Sequence, residues 1–426
     1  LMHTAEILSQ GDEVVTGQTV DTNAAWLATH LTSLGYQVAR HTTVGDRLAD
    51  LVQLFREIGE RAQLCVCTGG LGPTDDDLTA PAVAAAFARP LQLDPKALAD
   101  LIEKYERAGR PMPEVNRKQA MLPEGALRID NPRGTAPGFA FLGGQCWFVC
   151  LPGVPREMKA MFTESVVELF AERFAVRPGR LVTLRTIGVG ESNLQQLIGP
   201  FAEADAVLSY RTMLPENHLK LRFGPDVADE RILEVVESIG AKVAKWVFTV
   251  EGLPGGQAPA SLAHIDAEGG HHISVVARLL ARGGHTLSTA ESCTGGRIAA
   301  ACTALPGASA WFTDGRVTYS NEAKVAQLGV EPVAIAEHGA VSEAVARQMA
   351  EGVRQRAGTT FGIGVTGIAG PGGGTEAKPV GTVHIALATP ERTRHRALRL
   401  PGDRERIQRL AVASALELLR RSLVGA

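Results

Sequence analysis

The first 172 residues alternate segments that favour strands with segments that favour helices, and this order constrains the fold more than any other feature. Strand-like segments at 6–9 and 36–42 are followed by apolar residues at helical spacing over 23–34 and 47–60. The apolar run at 64–67 predicts a third, buried strand. Such alternation is typical of a mostly parallel, doubly wound α/β sheet, on which ligands bind at the carboxyl ends of the strands.

A glycine-rich turn follows the third predicted strand and reads Thr-Gly-Gly-Leu-Gly-Pro-Thr-Asp-Asp-Asp over residues 68–77. The backbone around Gly69, Gly70 and Gly72 can approach a phosphate closely, with Thr74 as a further polar ligand. The aspartates that end the turn can bind a divalent cation that bridges phosphate oxygens. The alternative is a tight turn whose aspartates cap the next helix.

Polar residues also follow the first two predicted strands of this sheet. Asp12, Asp21 and Asn23 come after the first strand, so we expect them to face the same ligand as the glycine-rich turn. The alternative is that Thr22 or Asn23 caps the helix that begins near residue 24. Asp46 follows the second strand, where it is either the N-cap of the next helix or a metal ligand.

The chain is long enough for about three domains, since it has 426 residues and a domain typically has roughly 150. The predicted domains are 1–172, a smaller α/β unit at 176–250 and a third α/β unit at 271–426. Residues 252–270 are rich in glycine, proline and alanine, which predicts a linker. The middle unit has nine basic and nine acidic residues, so its composition provides no basic face for a phosphate backbone.

A serine lies beside two glycines in the run Thr-Ala-Glu-Ser-Cys-Thr-Gly-Gly at 289–296, which follows a strand-like segment and opens a helix. Unpaired amides and the positive end of the helix dipole suit a developing oxyanion there. The run Tyr-Ser-Asn-Glu-Ala-Lys at 319–324 supplies a lysine that, when desolvated, can deprotonate Ser292. These residues predict a Ser/Lys amidohydrolase. The alternatives are that Ser292 only caps the helix and that Tyr319 and Lys324 are surface residues.

Further signals in the same third of the chain favour a phosphorylated substrate. A glycine-rich loop at 365–374 follows an apolar strand, and Arg404 and Arg406 lie at the start of the last helix. A nucleophile, a base, glycine-rich loops and arginines in one domain fit hydrolysis of such a substrate. Cys293 is a rival nucleophile beside Ser292, although the sequence offers no evident histidine partner for it.

Composition favours a cytoplasmic protein with reduced thiols. The six cysteines form no C-x-x-C pair and most lie in apolar runs, so disulfides and zinc sites are not expected. The chain opens without a basic segment ahead of an apolar one, and no run reaches the ~18 apolar residues of a membrane span. The formal charge of −3 gives no electrostatic reason to expect nucleic-acid binding.

Together these motifs resemble those of the CinA family, named for competence and DNA-damage inducibility, over nearly the whole chain. The matching runs are 68–77, 134–139, 151–158, 290–296, 319–324 and 365–374. The resemblance implies an α/β multidomain fold with a doubly wound, molybdopterin-binding-like N-terminal domain, a small KH-like α+β middle domain and a C-terminal α/β deamidase domain. It implies two activities, namely metal-dependent ADP-ribose pyrophosphatase and deamidation of nicotinamide mononucleotide (NMN).

The catalytic residues that the resemblance implies fall on positions already singled out. Ser292 corresponds to the nucleophile of the family, Lys324 to its general base and Tyr319 to a hydroxyl that assists the two. Thr366 corresponds to a threonine that lines the substrate pocket.

Groups that bind the substrate are also expected on both sides of the nucleophile. The amides of Thr294, Gly295 and Gly296 are expected to hold the oxyanion. An arginine near the start of the last helix corresponds to a phosphate ligand of the family, and spacing favours Arg406 over Arg404.

The resemblance places Asp46 and Asp77 where related N-terminal domains carry functional aspartates, as ligands of a divalent ion such as Mg²⁺. No cofactor is expected for the deamidase. The expected partners are the small nucleotides NMN and ADP-ribose, together with a second copy of the chain in a homodimer. Neither nucleic acid nor a membrane is expected as a partner.

Two departures from the family pattern bear on function. Residues 11–13 read Gly-Asp-Glu where many members carry Gly-Asn-Glu, which adds charge near the expected phosphates. The middle unit contains no G-x-x-G loop, the element that clamps RNA in KH domains, so we interpret it as a spacer or dimer element. The alternative functions are binding of a nucleotide or molybdopterin-like ligand without turnover, and a partner role in competence or DNA damage.

Overall fold

The computed structural model describes residues 3–425, and the chain divides into two compact units at Gly179/Arg180. The strands are β1 Thr4–Gln10, β2 Gln37–Val44, β3 Leu64–Thr68, β4 Leu91–Leu93, β5 Met121–Pro123, β6 Leu127–Ile129, β7 Gly138–Gly143, β8 Cys146–Leu151, β9 Arg180–Ile187, β10 Ala206–Met213, β11 Glu216–Phe223, β12 Val247–Glu251, β13 Leu287–Glu291, β14 Phe312–Val317, β15 Phe361–Gly367, β16 Thr382–Ala388 and β17 Thr393–Arg399. The helices are α1 Asp12–Val15, α2 Thr22–Ser33, α3 Leu48–Arg61, α4 Thr79–Phe87, α5 Pro95–Arg107, α6 Pro155–Met161, α7 Val167–Arg173, α8 Glu191–Ile198, α9 Asp229–Val243, α10 His272–Gly283, α11 Arg297–Thr303, α12 Asn321–Leu328, α13 Pro332–His338, α14 Glu343–Ala357 and α15 Arg404–Leu423.

The first unit contains a six-stranded sheet in the order β2-β1-β3-β8-β7-β6. Its first four strands are parallel, while β7 and β6 run antiparallel at one edge. Both faces of β3 are buried, with Leu64 and Val66 in one apolar cluster and Cys65 and Cys67 in the other. The predicted doubly wound α/β sheet is therefore confirmed, and the carboxyl ends of β1, β2 and β3 meet at one edge.

The second unit begins with an antiparallel sheet in the order β10-β11-β9-β12, covered on one face by α8 and α9. The sequence analysis did not predict β10. This strand lies at the edge of the sheet and most of its side chains are exposed, including the apolar Val207 and Met213, so its apolar residues do not mark one buried face.

The segment at 252–270 is packed against the middle subdomain rather than extended between two domains. Leu262 is fully buried in the apolar cluster of that subdomain, and the Ser261 amide donates to the carboxylate of Glu237 at 3.0 Å. Asp266, also buried, accepts a hydrogen bond from Arg278 of α10 at 2.8 Å. The glycines and prolines of this segment form turns, while its few apolar side chains fasten it to the sheet.

The remainder of the second unit is a five-stranded sheet in the order β14-β13-β15-β16-β17. Strands β14, β13 and β15 are parallel, and β16 and β17 run antiparallel. One face packs against α10, α11 and α15, and the other against α12 and α14. Because β13 lies between β14 and β15, the residues that follow it lie at the carboxyl edge of the sheet, between the ends of those two parallel strands.

Helix α15 joins this sheet to the middle subdomain within the second unit. Arg409 donates to the Leu214 carbonyl at 2.6 Å, and Arg421 donates to the Lys245 carbonyl at 2.9 Å. Between these two contacts, Ala413 lies in an apolar cluster with residues of β9, β12 and α10. The helix therefore contacts both parts of this unit along its length.

A buried ion pair lies in the last third of α15. The Glu417 carboxylate accepts hydrogen bonds from Arg420 at 2.8 and 2.9 Å and from Arg421 at 2.8 Å, and Nε2 of His272 lies 3.0 Å from it. Burial alone would raise the pKa of Glu417, but the hydrogen bonds from Arg420 and His272 outweigh burial and lower that pKa far below its usual value. The carboxylate is therefore ionised whenever the unit is folded near neutral pH.

The structure allows two expectations from composition to be examined, the state of the cysteines and the presence of membrane-spanning helices. All six cysteines are buried and unpaired, as predicted. From His3 to Gly425, none of the helices has both the length and the apolar character required to cross a bilayer.

We predict that Glu417→Gln lowers the free energy of unfolding by about 3 kcal/mol at pH 7, because it leaves the Arg420 guanidinium buried without its counter-charge. Since folding lowers the pKa of Glu417 below 4.5, its contribution is complete above pH 4.5 and declines as the pH falls below that value. Urea unfolding from pH 7 to pH 3 measures both effects. The difference between wild type and variant should shrink in acid, whereas Glu391→Gln, on an exposed turn, should change little at any pH.

Candidate active sites

Two side chains that the sequence analysis singled out are in contact at the carboxyl edge of the C-terminal sheet. Ser292 directly follows β13, and Lys324 lies in the first turn of α12. Lys324 Nζ is 3.1 Å from Ser292 Oγ, 2.9 Å from the Thr318 carbonyl and 3.2 Å from the Tyr319 carbonyl. Lys324 is only 1% exposed and Ser292 only 8%, so bulk water has little access to the pair.

The surroundings of Lys324 favour its neutral form. Burial lowers the pKa of its amino group below the ordinary value of 10.5, and the Glu322 carboxylate counteracts this only in part. The neighbours of Nζ are two carbonyls and one hydroxyl. When the amine is neutral, its two N–H groups can donate to the carbonyls while its lone pair accepts the Ser292 hydroxyl. The geometry therefore suits removal of the Ser292 proton by Lys324.

The rival nucleophile has no such activation. Burial raises the pKa of the Cys293 thiol to about 12, so the thiolate is scarce at neutral pH. A Cβ atom placed on Gly367 would lie 3.0 Å from the sulfur, which shows that this side chain packs against the end of β15. Cys293 is thus a buried packing residue, whereas Ser292 contacts the amino group that can take its proton.

The turn after Ser292 depends on a residue that the sequence analysis missed. Glu291 is 1% exposed, and its carboxylate accepts the amides of Ile298 at 3.1 Å and Ala299 at 2.8 Å, at the start of α11. The N-cap of α11 is Gly296, so the alternative in which Ser292 is a helix cap does not hold. The sequence did contain a signal for this role, because Glu291 lies between a strand and the two glycines that precede a helix.

Of the three amides expected to bind an oxyanion, one is already used. The Gly295 amide donates to the Ser292 carbonyl at 3.1 Å, which closes the turn. Within residues 3–425, the amides of Thr294 and Gly296 donate to no protein group. Gly295 and Gly296 both have positive φ angles, 60° and 87°, which glycine adopts without strain.

Tyr319 and Arg404 are brought together beside the Ser292–Lys324 pair. Arg404 donates to the Tyr319 hydroxyl at 3.1 Å and to the Gly370 carbonyl at 2.8 Å. Tyr319 is 60% exposed, and the group that it presents to Lys324 is its carbonyl rather than its hydroxyl. The hydroxyl contact with the Ser292–Lys324 pair that we expected is therefore absent from this conformation.

The structure places Arg404, rather than the favoured Arg406, at this site. The backbone amide of Arg406 donates to the N-cap residue Asp403 at 2.8 Å, and its side chain lies against Gly402. Spacing along the chain does not decide between the two, because both lie in the first turn of α15, where two positions differ by about 200° around the helix axis.

Two further side chains position the backbone near the pair. Thr366, expected in the pocket, is buried and donates to the Ala340 carbonyl at 2.8 Å, so it fastens the loop before α14. Gln408, which the sequence analysis missed, is 5% exposed and donates to the Cys293 carbonyl at 2.7 Å. No local signal marked Gln408, because its partner lies 115 residues away in the chain.

In the first unit, the residues after β1, β2 and β3 meet as predicted, through a glutamine that the sequence analysis missed. Gln10, the last residue of β1, donates to the Asp46 carboxylate at 2.8 Å and to the Asp76 carbonyl at 3.2 Å. Its side-chain oxygen accepts the Thr79 hydroxyl at 2.5 Å. Gln10 thus connects all three loops and α4.

The glycine-rich turn is closed by its own aspartate. Asp77 accepts the Gly72 amide at 2.7 Å, the Thr74 amide at 2.9 Å and the Thr74 hydroxyl at 2.6 Å. The Gly69 amide donates to the Leu151 carbonyl at 3.0 Å. Most of the amides that we expected to bind phosphate therefore already donate to protein groups. Gly70 is packed against the Gln10 side chain, since a Cβ atom placed on Gly70 would lie 2.1 Å from it.

Asp46 and Asp77 have free lone pairs but no third acidic or histidine partner. Asp46 accepts from Gln10 and, at 3.0 Å, from the amide of Asp12, whose carboxylate in turn accepts the Asp46 amide at 3.1 Å. Asp46 is not a helix cap. In the described part of the chain, no group of three or more His, Cys, Asp or Glu can hold a metal ion. Binding of Mg²⁺ by Asp46 and Asp77 therefore stays a prediction, and it would need substrate phosphates to complete the coordination.

Asn23 lies beside the same edge with one polar atom unused. It donates to the Gly153 carbonyl at 2.7 Å and to the Thr68 hydroxyl at 3.2 Å, while its side-chain oxygen is buried without a partner. The cap of α2 is Asp21, which accepts the Ala24 amide at 2.8 Å. The alternative in which Thr22 or Asn23 supplied this cap is therefore wrong.

Comparison with known proteins matches both halves of the chain. A model described as a probable molybdopterin binding domain matches residues 6–172, and a model of the CinA C-terminal domain matches residues 271–423. A CinA-like protein from Anaeromyxobacter sp. (strain Fw109-5) is 43% identical over 422 residues and covers 98% of each chain. The chain belongs to the CinA family.

Other relatives agree with this assignment. A putative competence-damage inducible protein from Symbiobacterium thermophilum is 41% identical over 442 residues and covers 99% of each chain. A solved structure of the protein CinA, of unknown function, from Thermoplasma acidophilum is 37% identical with a TM-score of 0.37 and covers 39% of this chain and 98% of its own. The two family models and the full-length relatives establish the family and its molybdopterin-binding-like N-terminal domain.

Proposed function

We propose that the C-terminal site is a Ser/Lys amidohydrolase that converts NMN to nicotinate mononucleotide and ammonia. The observation that carries the proposal is the 3.1 Å contact between Lys324 Nζ and Ser292 Oγ, at a lysine buried among two carbonyls. The substrate itself comes from the resemblance of the 290–296, 319–324 and 365–374 motifs to the family deamidase.

In the first half of the reaction, neutral Lys324 takes the proton of Ser292, whose oxygen attacks the carboxamide carbon of NMN. The amides of Thr294 and Gly296 stabilise the negative charge on the carboxamide oxygen. Lys324 then returns the proton to the departing nitrogen, and ammonia leaves. This leaves an ester between Ser292 and the nicotinoyl group.

In the second half, Lys324 deprotonates a water molecule that attacks the ester, and Ser292 leaves with the proton that Lys324 returns. Arg404 binds the phosphate of the nucleotide. Among residues 3–425, its guanidinium donates to two neutral acceptors, the Tyr319 hydroxyl and the Gly370 carbonyl, and to no carboxylate. The phosphate replaces those acceptors with a stronger, charge-assisted partner.

A second activity is proposed for the first unit, where the resemblance implies cleavage of ADP-ribose to AMP and ribose 5-phosphate. The observation in its favour is the meeting of Asp46, Gln10 and the Asp77 turn at one sheet edge. Mg²⁺ bound by Asp46 and Asp77 would neutralise the pyrophosphate charge. Asn23 adds a buried acceptor for a ligand hydroxyl.

The two alternative functions, ligand binding without turnover and a competence or DNA-damage role, also remain proposals. The N-terminal domain would then bind a nucleotide or a molybdopterin-like ligand without turnover, and a competence or DNA-damage role would act through protein contacts. The relatives named for competence and damage favour the second of these, and ligand binding without product would favour the first. A homodimer and a cytoplasmic location also stay predictions.

We predict that Ser292→Ala lowers the rate of ammonia release from NMN by at least about 1,000-fold, because it removes the nucleophile. Cys293→Ala should retain the rate within about threefold, since the thiol is not the attacking group. A coupled ammonia assay on the two purified full-length variants measures both. Equal losses in the two variants would contradict the assignment of Ser292.

We predict that kcat/KM for NMN rises with pH as Lys324 loses its proton, with a midpoint below 10.5. The direction follows because the base acts only when neutral and burial lowers its pKa. Lys324→Arg, which stays charged, should be inactive across the whole range. A profile that falls with pH, or an active arginine variant, would exclude Lys324 as the base.

We predict that EDTA abolishes ADP-ribose cleavage and that Asp77→Asn lowers it by at least about 10-fold, because the metal loses a carboxylate ligand. Asp75→Asn serves as the matched control, since it changes an exposed aspartate of the same turn. Release of AMP, followed by chromatography, measures the rate. Cleavage that is unchanged by EDTA would rule out the metal role.

A further inference from the structure

The peptide group between Cys293 and Thr294 is held from one side by α15. Gln408 Nε2 donates to the Cys293 carbonyl at 2.7 Å. The Gln408 residue is only 5% exposed. The oxygen of Cys293 and the amide hydrogen of Thr294 belong to the same planar peptide unit and point in opposite directions. The Thr294 amide therefore faces away from α15.

The other amides of this turn are largely occupied. Those of Ile298 and Ala299 donate to Glu291, and that of Gly295 donates to the Ser292 carbonyl. The helix start that follows a nucleophile would normally offer these amides to an oxyanion, but here the Glu291 carboxylate already takes two of them. The Thr294 amide, two residues after Ser292, has no acceptor in the part of the chain that the structure describes.

We propose that Gln408 is a positioning residue for the amidohydrolase, acting through the Thr294 amide that stabilises the oxyanion. Its hydrogen bond to the Cys293 carbonyl fixes the plane of the peptide. The same bond polarises the peptide, which strengthens its N–H as a donor by about 10–30%. This inference rests on the function proposed above.

A purely structural role for Gln408 predicts a different outcome. Burying an amide side chain requires a partner, so the contact also fastens α15 to the turn. Loss of a structural contact would lower stability, or loosen substrate binding as well as catalysis. Loss of a transition-state donor lowers kcat and leaves the KM for NMN nearly unchanged.

The test compares Gln408→Met, which keeps the volume and removes the donor, with Gln348→Met in the full-length protein. Gln348 lies on α14, where its side chain contacts Glu331, and so serves as the matched glutamine control. We expect kcat for NMN to fall at least about 10-fold in Gln408→Met with KM within about twofold, and no change in the control. An unchanged kcat, or a rise in KM alone, would overturn the proposal.

A second readout does not depend on the substrate. A fluorophosphonate reacts when Ser292 Oγ bonds to phosphorus and fluoride leaves, with the serine proton passing to Lys324, and the phosphonyl oxygen takes the place of the oxyanion. We expect Gln408→Met to be labelled at least about 10-fold more slowly than wild type and the Gln348→Met control. If Gln408→Met does not fold, Gln408→Leu, which also removes the donor, replaces it in both assays.

The outcomes separate this inference from the proposed function. Wild type that is labelled at Ser292 but releases no ammonia from NMN would refute the substrate, while the labelling rates would still decide the role of Gln408. Wild type that shows neither reaction would remove Ser292 as the nucleophile, and the positioning role would be refuted with it. Equal labelling of the wild type and both variants would refute the positioning role alone.

Discussion

The arrangement of the C-terminal domain depends on removing one amino group from water. A lysine is rarely buried because its charged form loses hydration, and Lys324 is buried with no carboxylate in contact with Nζ among its hydrogen-bond partners. Two carbonyls at the end of β14 and one hydroxyl after β13 surround it instead. The parallel pairing of β13 with β14 is what brings these groups together, so the chemistry of the pair follows from the order of the strands.

Competition for backbone amides decides what each turn is able to bind. In the C-terminal turn, Glu291 occupies the start of α11 and leaves Thr294 and Gly296 with unused donors. In the N-terminal turn, Asp77 occupies the amides of Gly72 and Thr74. An internal carboxylate thus does in each turn what a bound anion does elsewhere, and it restricts ligand contacts to the groups that remain.

The sequence was sufficient for features that depend on neighbouring residues, and insufficient for those that depend on distant ones. Alternating apolar segments predicted the doubly wound sheet, and local motifs placed Ser292 and Lys324 at one site. The edge strand β10 was not predicted because apolar residues such as Val207 and Met213 occupy exposed positions and do not mark one buried face. Gln10, Gln408 and the choice of Arg404 over Arg406 escaped because each depends on which way a side chain points after folding, and spacing along the chain does not specify that.

Helix α15 contacts both the active-site turn and the middle subdomain, and neighbouring side chains of this one helix make the two contacts. Gln408 contacts the turn, while its neighbour Arg409 contacts the β10–β11 hairpin. Inserting or deleting a single residue in this helix would rotate everything beyond it by about 100° and shift it by about 1.5 Å. The helix can therefore change its residues in evolution far more easily than its length, and the two parts of the second unit must vary together.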